Sequence, residues 1–340
     1  MPRAPLISER GGQKKSPIDR RIALARALPV GISLAMAVPP PAPPKIFDRV
    51  RYAARRNRAA PSFADYDYLR QRVASDLESR LGDTPRRFEN GLELGAAGGE
   101  LSRRLMASGK VARMLAADIA PAFTGMARAS GLEAETVDEE HLPFPEATFD
   151  VVLAPLTLHW VNDLPGALIQ IRRILKPDGL FLGALFGTGT LAELRDVLTE
   201  AETELTGGLA PRFSPLPGLR DMAGLMQRAG FALPVADRDT VEVTYAHPVV
   251  LLADLKGMGE RTSFAPGTSR ALPSRVLARA TELYAERFPA PRGRVKASFE
   301  IVHVSGWAPG PGQPQPLKPG SAKVSLADAV KRAQDRPDQD

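Results

Sequence analysis

Residues 91 to 99 read Gly-Leu-Glu-Leu-Gly-Ala-Ala-Gly-Gly: a short apolar strand that meets an acidic residue, turns through small side chains and launches a helix near Glu100. Small side chains let the backbone approach a ligand, and the helix start presents unpaired N–H groups and partial positive charge to it. A strand, turn and helix in this order imply an α/β fold with a nucleotide-type site at the strand's carboxyl end. Glu93 narrows the choice of ligand. A carboxylate in this loop repels a doubly negative pyrophosphate but attracts a cofactor bearing ammonium and sulfonium charges. The expectation is therefore S-adenosylmethionine rather than NAD.

Two further acidic tips support that expectation. The apolar run Met114 to Ala117 ends at Asp118, 19 positions after Gly99, where a carboxylate can accept from both ribose hydroxyls. Asp118 also suits the N-cap of a helix predicted from Pro121 to Ser130, and the two uses are compatible. A third tip lies in Val137-Asp138-Glu139-Glu140-His141-Leu142-Pro143-Phe144, and the run after Asp150 reads as a fourth, fully buried strand. Asp138 is placed to accept from an adenine amino group. The candidate cofactor contacts are Glu93, Gly95, Ala97, Gly99, Asp118, Ile119, Asp138, Glu139 and Pro155.

With these motifs in order from about residue 88 to 187, the chain resembles the class I S-adenosylmethionine-dependent methyltransferases. Leu158-His159-Trp160-Val161-Asn162-Asp163-Leu164-Pro165, Arg173-Ile174-Leu175-Lys176-Pro177-Asp178-Gly179 and Phe181 to Gly187 narrow the likeness. So do Leu191 to Arg195, Ala201 to Glu204 and Leu255 to Glu260. Together they are similar to a mitochondrial assembly factor of respiratory complex I and its bacterial relatives, and more distantly to the malonyl-acyl-carrier-protein O-methyltransferases of biotin synthesis. This narrower likeness spans Ile46 to about Asp328. It implies a doubly wound, Rossmann-like, mostly parallel seven-stranded sheet with a helical lid and an antiparallel C-terminal strand. It also implies a protein acceptor, either the quinone-side complex I subunit or an acyl carrier protein. In the first case the known modification is hydroxylation of an arginine, so methyl transfer, hydroxylation and a non-catalytic assembly role all stand open.

Methyl transfer asks little of side chains, because the sulfonium is an activated donor and the protein aligns acceptor, methyl and leaving sulfur. A base is needed only where the acceptor must lose a proton. His159 and Trp160 follow the fourth strand, at the sheet edge where such a group projects. His159 is a candidate base, and Trp160 a candidate platform for a planar or cationic acceptor. Packing accounts equally for both, and Asn162 or Asp163 reads as the cap of the next helix, with Pro165 in its first turn. The four histidines form no His-x-Asp or His-Glu-x-x-His pattern, so no metal site is expected. Without cysteine, thiolate zinc and disulfides are excluded.

Composition bounds the rest. Residues 1 to 44 carry seven Lys/Arg against two acids and end in Pro39-Pro40-Pro41-Ala42-Pro43-Pro44. This basic, Pro-rich arm holds nearly all of the chain's net charge of +6. The body, near neutrality, lacks the basic stripe of a nucleic-acid reader. An export signal, an organellar transit peptide and a translation start at Met36 are the readings of the arm, and the last is preferred. No run of 18 apolar residues predicts a membrane span. The expected compartment is the cytoplasm, with peripheral membrane association, in a bacterium, or the matrix in a eukaryote; oligomeric state is not legible.

The folded domain is expected over 45–308, its lid and hairpin over 188–308, with a Pro/Gly-rich linker and charged tail over 309–340. Leu69, Val73, Leu77 and Leu81 mark one helical face; the resemblance, in whose family this region packs over the cofactor cleft, makes Tyr66 or Tyr68 a candidate contact to ligand or acceptor, and plain core packing accounts for them at least as well. Helices are predicted over 191–205, 219–229, 249–258 and 269–288, and strands over 240–245 and 295–304. Arg49, Arg51, Arg55, Arg56 and Arg58 form a cluster that reads as a solvated face or as a dock for an acidic partner. Met258, Gly259 and Glu260 are candidate lid residues, and a helix that ends at Gly259 accounts for them almost as well.

Overall fold

A computed structural model describes residues 45–268 and 270–313; the basic arm, the Met36 start and the tail past residue 313 lie outside the described residues. Two helices come first, α1 (Arg49–Ala59) and α2 (Tyr68–Gly82). The cofactor half follows as β1 (Phe88–Leu94), α3 (Glu100–Ala107), β2 (Val111–Asp118), α4 (Pro121–Ala129), β3 (Glu133–Thr136), β4 (Phe149–Pro155), α5 (Leu164–Ile174) and β5 (Leu175–Phe186). The C-terminal part adds α6 (Ala192–Thr206), α7 (Leu219–Arg228), β6 (Ala232–Tyr245), α8 (Pro248–Gly257), α9 (Ser274–Arg287), β7 (Pro289–Ala290) and β8 (Arg294–Trp307).

The strands form one sheet in the order β3-β2-β1-β4-β5-β8-β6, with the two-residue β7 paired to β8. β3 to β5 are parallel neighbours, and β8 runs antiparallel between β5 and β6. Every residue of β4 is buried, as a central strand covered on both faces requires. Val151 and Leu182 pack with Leu77, Val197 and Phe299 on one face. Val152 and Phe181 pack with Leu168, Ile171 and Met222 on the other. The chain order reverses between β1 and β4, so the ligand crevice of an open α/β sheet lies beyond their carboxyl ends.

Two predicted boundaries move furthest. β6 begins at Ala232 rather than Thr240: it is the edge strand, and its Asp237 and Asp239, which look like loop residues in sequence, pair with Arg80 and Arg72 of α2. α9 begins at Ser274 rather than at residue 269, because Pro273 stands at its N-cap in extended conformation. The α2 stripe is as predicted, with Leu69, Val73, Leu77 and Leu81 all buried. Among the described residues no helix is long and apolar enough to cross a membrane.

Candidate active site

The loop after β1 is a left-handed cradle. Gly95, Ala97 and Gly99 have φ of +61°, +50° and +74°. At Gly95 a Cβ would come within 2.5 Å of Thr157, so glycine is required there both by conformation and by the close approach of the loop after β4. Ala97 adopts the same region despite its methyl group. Its amide is held there by donating to Asp118 Oδ2 at 3.0 Å.

The acidic tips do not face an open crevice; arginines of the two N-terminal helices face them. Arg56 Nη2 stands 2.6 Å from Asp118 Oδ2 and Nε 3.2 Å from Oδ1. The amides of Ala97 and Ala120 fill the remaining positions of that carboxylate, and Ala120, not Asp118, is the N-cap of α4. Arg70 Nη2 meets Glu93 Oε1 at 2.6 Å, while the amide and hydroxyl of Ser102 bond Oε2. Arg49 bonds Asp138 through two nitrogens and reaches Glu139 as well; Thr157 Oγ1 donates to Glu139 at 2.6 Å. Buried carboxylates demand cations when no ligand supplies them. Burial still pushes the Glu93 carboxyl above its usual range, against the pull of Arg70 and Ser102. Burial opposes the charge of Arg56, but Asp118 more than restores it, and its pKa rises.

Of the other expected contacts, the Pro155 carbonyl accepts from Arg70 Nη1 at 2.8 Å. Ile119 packs in a small core with Phe47, Tyr52, Trp160 and Phe264. Tyr66 lines a cavity beside Gly257. Tyr68 does not join the site, because its hydroxyl is 2.6 Å from that of Tyr245 at the end of β6. Asp163 caps α5 as predicted, accepting from Gly166. Asn162 instead accepts from the amides of Ile46 and Phe47 and fastens the entry to α1.

His159 and Trp160 form a short 3-10 turn after β4, and both are buried. His159 Nε2 lies 3.0 Å from Glu260 Oε2, which also accepts from Trp160 Nε1 at 2.7 Å. Trp160 stacks on Tyr52 with centroids 5.2 Å apart and meets the edge of Phe47. Among the described residues, His159 Nδ1 and the Tyr52 hydroxyl are buried without a hydrogen-bond partner, a state that buried polar atoms rarely keep unless a ligand or water completes them. His159 opens on a cavity of about 70 Å³ with Phe186, Leu191, Phe213 and Glu260. Phe186 and Glu260 also line a cavity of about 20 Å³ against Arg56 and Arg70. These two side chains therefore stand between the acidic tips and His159. Among the described residues no three His, Asp or Glu side chains converge as metal ligands.

Comparison with known proteins agrees with this fold. Residues 92–183 match the family profile of the methyltransferase domain. The chain is 40% identical over 291 residues to the mitochondrial arginine-hydroxylase NDUFAF5 of Danio rerio, covering 84% of this chain and 90% of that protein. It belongs to the NDUFAF5 family. The human family member is 40% identical over 84% of each chain. Beyond the NDUFAF5 family, a malonyl-[acyl-carrier protein] O-methyltransferase of Halorhodospira halophila is 34% identical over 76% of this chain and 86% of that one. The Haemonchus contortus phosphoethanolamine N-methyltransferase 2 shares the fold, with a TM-score of 0.50 at 14% identity over 78% of this chain and 61% of that one. The fold is thus class I methyltransferase, as the resemblance implied.

In this NDUFAF5-family chain, the partners of Arg49, Arg56, Arg70 and Glu260 have no signature in the sequence. The arginine cluster was visible, but helical periodicity alone does not tell which members turn inward. Glu260 lies 101 positions from His159, and no local spacing links the two.

Proposed function

We propose that the chain binds S-adenosylmethionine beyond β1 and β4 and modifies a protein side chain presented at His159, in the service of respiratory complex I assembly. The observation that carries this reading is the arrangement of the two halves. Arg56 and Arg70, which hold the Asp118 and Glu93 carboxylates beside the Gly95–Gly99 cradle, line one cavity, His159 lines another, and Phe186 and Glu260 line both. The donor set suits the cofactor: carboxylates to accept from ribose hydroxyls and an adenine amine, and a backbone that admits close approach. When bound, the cofactor supplies a methyl group on an electron-poor sulfur. Arg56 must yield at least one Asp118 oxygen for the ribose to be held. In the tautomer that donates Nε2–H to Glu260, His159 keeps the Nδ1 lone pair for a proton, and Glu260 stabilises the resulting cation.

A second reading is favoured by the arginine-hydroxylase names of the relatives at 40% identity: the acceptor side chain is an arginine in which a C–H bond becomes C–OH, a two-electron oxidation that requires dioxygen and two reducing equivalents from outside the chain, the second oxygen atom leaving as water. Either reading places the protein where complex I is built, in the matrix or in the bacterial cytoplasm. The purified chain is incubated with labelled S-adenosylmethionine and either the quinone-side complex I subunit or malonyl-acyl carrier protein. Transfer of label to one of them supports methyl transfer, and a gain of one oxygen on an arginine supports hydroxylation. Binding of the subunit without either change would replace the enzyme by an assembly chaperone.

A further inference from the structure

The arginine cluster of α1 divides in two. Arg49 and Arg56 turn inward onto carboxylates. Arg55 and Arg58 turn the other way and meet Lys256 and Arg261 of the lid around a cavity of about 310 Å³, which no acidic side chain lines. Among the described residues none of these four cations has a carboxylate within 4.0 Å, whereas Arg49, Arg56 and Arg70 each do. Arg55 spends its donors on the carbonyls of Arg261 and Thr262 and the hydroxyl of Ser263. Burial and then the charges of Arg261, Arg51 and Arg58 push its pKa down. Like charges held together in a concavity with no counter-charge raise the local potential and favour an anion.

The cationic cavity leads towards His159. A second cavity, of about 340 Å³, shares Arg55 and Arg261 with it and has an apolar wall of Leu194, Leu198, Leu252 and Leu272. That second cavity shares Leu191, Phe213, Leu255, Glu260 and Thr262 with the cavity over His159. The three run end to end: cations, then leucines, then the histidine.

We propose that Arg55, Arg58, Lys256 and Arg261 form the docking site for an acidic segment of the protein acceptor, whose flanking apolar residues lie along the leucine wall towards His159. This rests on the reading that His159 receives the acceptor side chain. Concavity selects a projecting acidic side chain over a flat anionic surface. It also sets the context of the target residue: a cation-rich stretch is repelled at the entrance, so the modified residue, even where it is an arginine, lies in an acidic neighbourhood.

The test uses fluorescein-labelled hexaglutamate and hexalysine peptides with the full chain, read by anisotropy, and does not depend on any modification reaction. Hexaglutamate is expected to bind and hexalysine not. The triple variant R58E/K256E/R261E, all exposed positions, is expected to weaken hexaglutamate binding by roughly tenfold or more. R220E, an exposed charge reversal on α7, is expected to leave it unchanged, and S-adenosylmethionine affinity is expected to stay the same in the triple variant. Equal binding of hexaglutamate by parent and triple variant would overturn the proposal, as would equal loss in R220E. Capture of the parent, but not the triple variant, by phosphatidylglycerol vesicles with no hexaglutamate binding would overturn it in favour of a membrane surface. Failure of modification assays alongside retained, charge-dependent peptide binding would fault the proposed reaction and leave this docking site standing.

Discussion

Arg56 and Asp118 are locked as a two-point pair at 2.6 and 3.2 Å, with both side chains buried, at the tip of β2. On the proposed reading, in which Asp118 accepts from the ribose of the cofactor, the guanidinium and the ribose hydroxyls compete for the same oxygens. This competition gives a substitution at Arg56 opposite effects on two observables. Arg56→Ala is expected to lower unfolding stability by about 3–5 kcal/mol, because it strands a buried anion. It is also expected to tighten S-adenosylmethionine binding by about 1 kcal/mol, because a competing donor is gone. Urea unfolding and calorimetry read the two separately, and Arg56→Lys should fall between. A loss of affinity together with stability would make Arg56 part of the binding surface instead.

Asp118 itself should behave differently. Asp118→Ala removes the acceptor, and cofactor affinity is expected to fall by about 1–3 kcal/mol, the cost of lost charge-assisted hydrogen bonds. The amides of Ala97 and Ala120 lose their acceptor too, so part of the loss reflects a looser cradle. Calorimetry with unchanged affinity would remove Asp118 from the site.

The cradle can be tested on its own. Gly95 holds φ of +61° with Thr157 where its Cβ would be. Gly95→Ala is expected to cost about 1–3 kcal/mol of stability through backbone strain, with a further loss of cofactor affinity. The same change at Gly109, whose φ is +68° but which has nothing within 4 Å, should cost less and leave affinity alone.

How far the sequence reached is clear from these particular residues. The strand–turn–helix around Gly95, the acidic tips and the α2 stripe follow from local periodicity and turn chemistry, so they were legible. What the carboxylates touch was not. Charge and hydrogen-bonding arguments turn Glu93, Asp118 and Asp138 towards a cationic nucleoside ligand, but three arginines 23 to 89 positions away neutralise them, and such pairings arise only from the packing of α1 and α2. Asn162 illustrates the same limit: it looks like a helix cap, yet its amide closes the entry to α1 over 115 residues of chain. Glu260 reads in sequence only as a lid residue, because nothing local marks the histidine that it meets 101 positions away.

Glu260 should orient His159 rather than hold the cofactor. Glu260→Gln keeps the shape but weakens the hold on both Nε2 of His159 and Nε1 of Trp160. Turnover is expected to drop by roughly 10²-fold, the usual size of a general-base contribution, with S-adenosylmethionine affinity retained. His159→Gln should lose as much, and the double variant little more, since residues acting as a unit are not additive. Additive losses would separate the two roles.

The last expectation concerns pH. His303 sits on β8, buried, with Nδ1 lacking a partner among the described residues. Burial, aided by the charge of Arg80, lowers its pKa below the ordinary 6.5. In the unfolded chain the imidazole takes a proton at about pH 6.5, whereas in the fold it resists until lower pH. The unfolded state thus binds more protons between those two values. His303 accordingly destabilises nothing above pH 6.5, and its cost appears as pH falls from 6.5 towards its folded pKa, with a slope of at most about 1.4 kcal/mol per pH unit. Urea midpoints for the parent are expected to decline over that window, and His303→Phe, which cannot take a proton, should flatten the decline. An equal decline in both proteins would assign the acid sensitivity to other groups.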